Sequence, residues 1–280
     1  MVVQHNMTSM NANRQLGITT SAQAKTTEKL SSGYKINRAA DDAAGLTISE
    51  KMRSQIRGLT QASTNAQDGV SCVQTAEGAL SEVHAMLQRM NELAVKSANG
   101  TNTSADRTAI QKEVAALISE IDRVKESTQF NTLSLLNGTF SAKANITVQV
   151  GAANVSTQRI QIQIDNIATS KLGDASLKIK DISLSTLKGA RSAISAITSA
   201  IAKISDIRSA LGAVQNRLEH TIANLDNIVE NTTAAESQIR DTDMAATMVE
   251  YSKNNILAQA GQSMLAQANT ATQGVLSLLQ

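Results

Sequence analysis

The chain has 280 residues and a formal net charge of +2, with no proline, no tryptophan and 1% aromatic residues, although 41% of it is hydrophobic. Any core must therefore be built from aliphatic residues and methionine, which suits long helices lying side by side better than a globule around large rings. The cations are interspersed with acids and aromatic rings for stacking are scarce, so no nucleic-acid partner is expected.

The first forty residues are polar, with apolar residues scattered among them. Such a terminal segment is expected to be poorly ordered until something covers it. A heptad pattern then runs from Ile48 to Ala94 in alternating steps of four and three residues, with only Gln55 and Gly69 off type. The pattern predicts one continuous helix of about 70 Å.

A turn at Asn99-Gly100 is predicted to end this helix, and a capping pattern from Thr103 to Asp106 introduces a second one. The second helix repeats the heptad spacing at Ile110, Val114, Leu117, Ile121 and Val124.

Between the second helix and the next one, the period of the apolar residues changes to two. The alternating residues are Ile146, Val148 and Val150, and then Ile160, Ile162 and Ile164. The region from about 140 to 184 is therefore predicted to hold a small, hairpin-like β element, too short for another large domain.

A third heptad stretch runs from Ile194 to Val229, with Arg208 and Gln215 as polar exceptions. From Met244 to Gln280 the apolar positions broaden into a wide face, which is expected to pack against partner surfaces. Together the patterns predict a mainly α protein. Its core is a long antiparallel helical bundle built from the N-terminal and C-terminal halves, with a small β-hairpin element in the middle.

No arrangement of residues points to catalysis, a cofactor or a metal ion. His5, His84 and His220 show no ligand spacing with one another or with Cys72, and no phosphate-binding glycine loop occurs. Cys72 is predicted to be a buried structural thiol, because a lone cysteine cannot form an internal disulfide.

Two acidic pairs lie close to arginines, so they favour local charge pairing or helix-end electrostatics over acid–base chemistry. They are Asp41-Asp42 beside Arg38, and Asp241 and Asp243 beside Arg240.

The longest unbroken apolar run, at 114–118, is far short of the roughly twenty residues that a membrane helix needs. The N-terminal stretch has neither the basic nor the apolar region of a cleaved secretory signal. The chain is therefore expected either to stay in the cytosol or to be exported by a route that does not read such a signal.

Runs near both ends resemble a known family. The N-terminal runs are LSSGYKINRAADDAAGL from Leu30, TISEKMRSQIRGL and NAQDGVSCVQTAEGAL. The C-terminal runs are LGAVQNRLEHTIANL from Leu211, AAESQIRDTDMA from Ala234 and NNILAQAGQSMLAQAN from Asn254. In these runs, which occur in the family's order, the chain resembles bacterial flagellin.

The resemblance implies a structural subunit of the bacterial flagellar filament, located outside the cell and without enzymatic activity. Residues 1–43 and 236–280 would form an inner domain of paired terminal helices, a coiled coil in the filament. Residues 44–235 would form an outer helical bundle that includes the β region 140–184, and the large variable domains of longer relatives would be absent.

The resemblance also implies partners. The chain would form a helical homopolymer after export through the flagellar type III channel, with an export chaperone on its C-terminal segment and with the filament cap and hook-junction proteins as neighbours. Neither nucleic acid nor membrane insertion is expected. The residues expected in self-assembly are Met7, Leu16, Met244, Met248, Leu257, Met264, Leu265 and Leu276.

The stretch from Leu87 to Val95 resembles the flagellin motif that a Toll-like receptor of animals recognises. On that match Arg89 is the central cation. Its flanking contacts are Gln88, Glu92 and Leu93, and Glu113 on the second helix is the matching acid. The alternative is an ordinary solvated helix face with an i, i+3 pair of Arg89 and Glu92. A second basic residue is common in the family where this chain has Asn91.

Three other functions compete with this interpretation. A hook–filament junction protein shares the terminal patterns but matches the central signatures less well. A type III translocator would need long apolar segments, and an enzyme would need more than the small β element in the middle.

Overall fold

The computed structural model describes residues 6–140, 145–174 and 177–277, and the side chains of 271–277 lie outside that description. Five long helices account for most of the described chain. They are α1 (Met7–Ser32), α2 (Ala43–Ser97), α3 (Ser104–Ser127), α4 (Leu187–Arg240) and α5 (Met244–Ser277). The predicted mainly α fold is confirmed.

Two antiparallel strand pairs lie between α3 and α4. They are β1 (Gln129–Phe130) with β2 (Leu133–Ser134), and β3 (Ile146–Gln149) with β4 (Arg159–Ile162). In the second pair Val148 lies opposite Ile160. The alternation of apolar residues therefore predicted the second pair correctly, whereas the first pair was not predicted.

The chain divides into two compact units. The terminal unit comprises the residues up to Ile56 and from Glu230 on, and the central unit comprises Arg57–Val229. Both divisions fall within the long helices α2 and α4. The inner and outer filament domains, 1–43 with 236–280 and 44–235, concern the assembled state and stay a prediction.

The core of the central unit lies where α2, α3 and α4 meet the β element. Leu87 and Met90 of α2, Val114 of α3, and Ile197 and Leu218 of α4 are 0% exposed. The α2 and α4 helices run antiparallel, because Ser63 donates to Asp226 at one level and Arg208 donates to Glu77 at another. From Leu59 on, the predicted heptad positions of α2 are mostly buried, as narrow apolar stripes require, whereas Ile48 at the start of the predicted stripe is 46% exposed.

The predicted capping box begins α3. The Asp106 backbone N–H donates to Thr103 Oγ1 at 3.3 Å, and the Thr103 backbone N–H donates to Asp106 Oδ2 at 2.9 Å. Hydrogen bonds from the Thr103 hydroxyl and backbone hold the pKa of the Asp106 carboxyl below its usual value. Two otherwise unpaired donors at the helix start are satisfied in this way.

Single polar side chains fix the irregular segment between β4 and α4. Asp122 of α3 accepts from both the backbone N–H and the hydroxyl of Thr169, which is 1% exposed. Gln111 accepts from the Leu184 backbone N–H at 2.6 Å, and the Ser97 hydroxyl donates to the Leu184 carbonyl at 2.8 Å. Backbone groups that lack a regular partner are satisfied by the helices.

The core packing makes a prediction at Leu87. Leu87→Asp places an unpaired charge in a fully buried position, so we expect the free energy of unfolding to fall by more than about 4 kcal/mol. Val95→Asp, on the same helix but at a side chain that is 54% exposed, is the control and should cost less than about 1 kcal/mol. Urea denaturation followed by circular dichroism measures both. Equal stability of the two variants would contradict the assigned core.

Candidate functional site

The terminal unit pairs α1 with α5 in antiparallel orientation. Asn6 Nδ2 donates to the Ala268 carbonyl at 2.9 Å, Ser9 Oγ donates to Asn269 Oδ1 at 2.7 Å, and Leu16 lies against Gly261. A Cβ at Gly261 would lie 3.2 Å from Leu16 Cδ1. Because that distance is tighter than ordinary packing, the close approach of the two helices at Leu16 depends on the absence of a side chain at residue 261.

The less exposed residues of both helices recur at heptad spacing and define one face on each, which we call the terminal seam. On α1 they are Ser9, Ala12, Leu16, Thr19, Gln23, Thr26 and Leu30. On α5 they are Thr247, Tyr251, Asn254, Ala258, Gly261, Leu265 and Ala268. Most of these residues are small or polar. The terminal seam therefore buries little of the apolar surface that the two helices carry.

Large apolar side chains lie outside the terminal seam and are exposed. On α1 they are Met7, Met10 and Ile18, and on α5 they are Met244, Met248, Val249, Ile256, Leu257 and Met264. By the 3.6-residue period, Met248 and Met264 fall on opposite flanks of the seam face, and Ile256 falls on the side away from it. The α5 helix thus carries exposed large apolar side chains on both flanks and on its back, while α1 covers one side.

The residues predicted for self-assembly separate into three groups. Met7, Met244, Met248, Leu257 and Met264 are between 47% and 70% exposed. Leu16 and Leu265 belong to the terminal seam and are partly buried. Leu276 lies in α5, but its side chain is outside the described residues. Their role in self-assembly stays a prediction.

A clasp joins the α1–α2 connection to the α4–α5 connection. The Lys35 backbone N–H donates to the Arg240 carbonyl at 2.7 Å, and the Thr242 N–H donates to the Gly33 carbonyl at 3.0 Å. The Arg240 guanidinium lies 4.6 Å from the centroid of the Tyr34 ring and donates to Glu50. Main-chain bonds and a cation–π contact thus hold the base of the α1–α5 pair.

The acidic pairs at these connections cap backbone groups. Asp42 accepts from the Gly45 N–H at the start of α2, and Asp243 accepts from the Ala246 N–H at the start of α5. Asp41 accepts from the Arg38 and Asn37 N–H groups, which lowers its pKa, the Arg38 bond most. Asp42 and Asp243 therefore lie at helix ends as predicted, whereas Asp41 holds the turn between α1 and α2.

The second candidate surface lies in the central unit, on the outward sides of α2 and α3. The Arg89 guanidinium donates from Nη2 to Glu113 at 2.9 Å and from Nη1 to Glu92 at 3.0 Å. These hydrogen bonds, first that to Glu113 and then that to Glu92, raise the pKa of Arg89. The side chains of the three residues are 47% to 69% exposed, so the cluster is held in one geometry yet faces solvent.

The other residues of the predicted motif lie beside or beneath this cluster. Gln88 is exposed, and its Nε2 lies 3.0 Å from His84 Nε2. Leu93 is 3% exposed and belongs to the core, so it supports the surface from below rather than facing outward. Asn91 is half-buried. An outward contact can use Gln88, Arg89, Glu92 and Glu113.

The described residues also bear on metal binding, thiol reactivity and membrane spans. They contain no group of three or more histidine, cysteine or acidic side chains that could hold a metal ion. Burial raises the pKa of the Cys72 thiol, as its predicted structural role requires. None of the helices in the described ranges has the length and apolar character to cross a membrane.

Family models match both ends of the chain. The bacterial flagellin N-terminal helical region matches residues 3–141, and the bacterial flagellin C-terminal helical region matches residues 194–279. These ranges cover more than half of the chain. The chain belongs to the bacterial flagellins. Flagellins are structural proteins of the flagellar filament outside the cell, so the prediction that the chain is not an enzyme is confirmed.

Curated relatives match this flagellin over their full length. The flagellin of Halalkalibacterium halodurans is 54% identical over 280 residues, with all of both chains covered. The flagellar filament 31.3 kDa core protein of Treponema maltophilum is 50% identical over 287 residues, and the flagellin of Bacillus subtilis is 47% identical over 306, each again with full coverage. The prediction of a short form without a large outer domain is confirmed.

Two solved structures match parts of the chain. The Bacillus cereus flagellin is 30% identical, with 58% of this chain and 88% of that chain covered and a TM-score of 0.49. A putative flagellar hook-associated protein from Vibrio parahaemolyticus has a TM-score of 0.59 at 14% identity, with 72% of this chain and all of that chain covered. The second likeness concerns the fold alone.

The close approach at Gly261 gives a testable prediction. Gly261→Val inserts a branched side chain against Leu16, so we expect backbone amides of α1 around Leu16 to exchange hydrogen at least about tenfold faster. Gly17→Val is the control, because a Cβ at Gly17 meets nothing within 4 Å. Unchanged exchange in Gly261→Val would mean that the α1–α5 contact at Gly261 does not hold in solution.

Proposed function

We propose that this flagellin polymerises into a helical filament by burying, between copies of the chain, the apolar residues that α1 and α5 leave exposed. The observation that carries the proposal is the composition of α5, which is apolar on the flanks and back but small and polar along the terminal seam. Large apolar side chains exposed on several sides of one helix indicate an interaction surface. A single α1 covers only one side of α5, so neighbouring copies of the chain would have to cover its other apolar residues.

The energetics favour assembly only when many copies stack. Burying one exposed methionine, leucine or isoleucine contributes about 1.5–3 kcal/mol, while ordering each residue costs about 1–2 kcal/mol of backbone entropy. One neighbour therefore offsets little of the cost of fixing the terminal helices. Contacts between different faces of successive copies do not close into a ring, and they generate a filament.

The same exposed surface supports the finer parts of the proposal. Before assembly, α5 presents large apolar side chains that an export chaperone would cover, and the chain would then pass unfolded through the flagellar type III channel. At the two ends of the filament the same surfaces would meet the cap and hook-junction proteins. A copy without such partners carries an aggregation liability.

A second function, recognition by the flagellin-sensing Toll-like receptor of animals, is favoured by the cluster of Arg89, Glu92 and Glu113. Two carboxylates orient one guanidinium, so the cluster offers a preorganised cation with acids on both sides. Gln88 adds an exposed amide on the same helix, and Leu93 holds the helix from beneath. An arginine held in this way is the type of residue that often dominates a protein interface.

The competing functions have weaker support. The full-length relatives with 47% to 54% identity are named as flagellins or filament core proteins, whereas the likeness to a hook-associated protein is one of fold at 14% identity. This difference favours the filament subunit over the junction protein. A filament subunit also accounts for apolar residues spread around α5, which a translocator or an enzyme would not require.

Ile256 tests the assembly proposal. Ile256→Asp places a charge on the back of α5, where the side chain is 66% exposed in the single chain. Helicity of the monomer should stay unchanged, while the critical concentration for seeded polymerisation rises by at least about tenfold. Ile256→Leu, which keeps the side chain apolar, should polymerise as the parent does. Sedimentation measures filament mass, and an unchanged critical concentration in Ile256→Asp would refute the proposal.

Arg89 tests the receptor proposal. Arg89→Ala removes the cation and leaves Glu92 and Glu113 unpaired at the surface, so receptor signalling in reporter cells should fall roughly tenfold or more at equal helicity. Arg123→Ala breaks a comparable exposed ion pair, with Glu120 on α3, and is the matched control. Equal loss in both variants, or no loss in Arg89→Ala, would count against recognition at this cluster.

A further inference from the structure

A groove runs between β4 and α4 in the central unit. Three adjoining cavities of about 550, 480 and 460 Å³ form it. Gln163 and Ala210 line both the first and the second cavity, and Arg159 and Arg217 line both the second and the third. Because neighbouring cavities share lining residues, they form one continuous groove along α4. Of the described residues, none from α1, α5 or the Arg89 cluster lines it.

One wall of the groove is a strand edge. Among the described residues β4 pairs with β3 alone, and the Val150 N–H donates to the Gln158 carbonyl at 2.9 Å. In an antiparallel pair the hydrogen-bonded positions alternate. The bonds of this ladder therefore fall at Gln158, Ile160 and Ile162, while the backbone N–H and C=O groups of Arg159 and Gln161 point away from β3.

The same two residues place their side chains in the groove. Arg159 and Gln161 are the exposed positions of β4, whereas Ile160 and Ile162 are buried. Across the groove α4 contributes Ala210, Val214 and Arg217 to the 480 Å³ cavity. An unpaired strand edge, which can pair with another chain, thus lies beside the 480 Å³ cavity.

The charge of the groove changes along its length: the first cavity carries both signs, with Asp165 and Asp206 beside Lys171 and Lys203, whereas the described residues of the second and third cavities carry cations alone. Arg159, Arg217 and His220 line its second and third cavities, and within the described part of the chain no aspartate or glutamate lines either one. The Arg159 guanidinium donates hydrogen bonds to the neutral side-chain amide oxygens of Gln149 and Asn154. Glu219, close to Arg217 on α4, accepts instead from Gln215 at 2.8 Å. The two guanidinium charges are therefore not neutralised by an acid that lines the second or third cavity.

We propose that the second and third cavities of this groove bind an acidic peptide segment of a partner protein in extended conformation, which adds to β4 as a third strand. Side chains of a strand alternate between faces, so acids at every second position of the peptide would all meet Arg159 and Arg217. The free N–H and C=O groups of β4 select a peptide over a phosphate-bearing polymer, because only a peptide backbone offers alternating acceptors and donors. Charge complementarity supplies the acidic preference.

A fluorescently labelled hexapeptide of alternating Glu and Thr, titrated into the full-length monomer and followed by anisotropy, tests the proposal. We expect saturable binding that weakens about tenfold or more in Arg217→Gln, because a charge-assisted hydrogen bond is lost. Arg191→Gln, an exposed arginine of α4 outside the groove lining, should bind as the parent does. Binding should also weaken as salt is raised.

Two further arms identify the occupant. A hexapeptide with the same charges, but N-methylated at the residues that face β4, should lose binding, and inorganic pyrophosphate at equal charge should not compete. Equal binding of the methylated peptide, or competition by pyrophosphate, would replace the proposal with a simple oxyanion site. If the peptide binds the monomer but not seeded filaments, a neighbouring copy of the chain occupies the groove, and the proposal of a partner protein is overturned. The absence of saturable binding to the monomer would also overturn the proposal.

Discussion

Seven-residue spacing is the constraint on which both units depend, and the two units fill it with opposite kinds of residue. In the central unit the spaced positions hold large aliphatic side chains such as Leu80 and Leu87, and burial of these residues stabilises the three-helix core without outside help. In the terminal unit the spaced positions hold Thr26, Asn254 and Ala258. There the seam fixes how the two helices meet but leaves their apolar surface uncovered.

Burial of polar groups has a different role in each unit. Asp122, Gln111 and Ser97 satisfy backbone groups of an irregular segment, so the central unit needs no large sheet to hold that segment in place. In the terminal seam, by contrast, the Asn254 Nδ2 is buried without a hydrogen-bond partner among the described residues. An unsatisfied polar group costs free energy, and in coiled coils one such residue often fixes the register.

The helices of the central unit could be predicted because their spaced residues are strongly apolar and because Thr103 and Asp106 carry a recognisable cap. The β3–β4 pair followed from its alternating isoleucines and valines. The β1–β2 pair could not be predicted, since two-residue strands show no period. Its turn places Asn131 and Thr132 at φ of 46° and 67°, which is an uncommon conformation for threonine.

The candidate sites were predictable to different degrees. Arg89 and Glu113 lie off the heptad positions and are exposed, as the heptad pattern indicates. Leu93 also lies off those positions, yet it is buried, and the pattern did not indicate this. The terminal seam could not be predicted from apolar periodicity, because positions such as Ser9, Thr19 and Gln23 are polar. Small and polar residues at heptad spacing were the missed signal. The groove beside β4 depends on which side of a strand is left unpaired, and that is a property of the tertiary fold.

The clasp at Tyr34 and Arg240 has a kinetic consequence. The α1 and α5 helices come from opposite ends of the chain, so bringing them together from an open coil would require closing a very long loop. The main-chain bonds from Gly33 to Thr242 and from Lys35 to Arg240 set the base of α1 beside the base of α5. Pairing can then advance from that base turn by turn, at the high effective concentration of a short hairpin rather than by a search between distant ends.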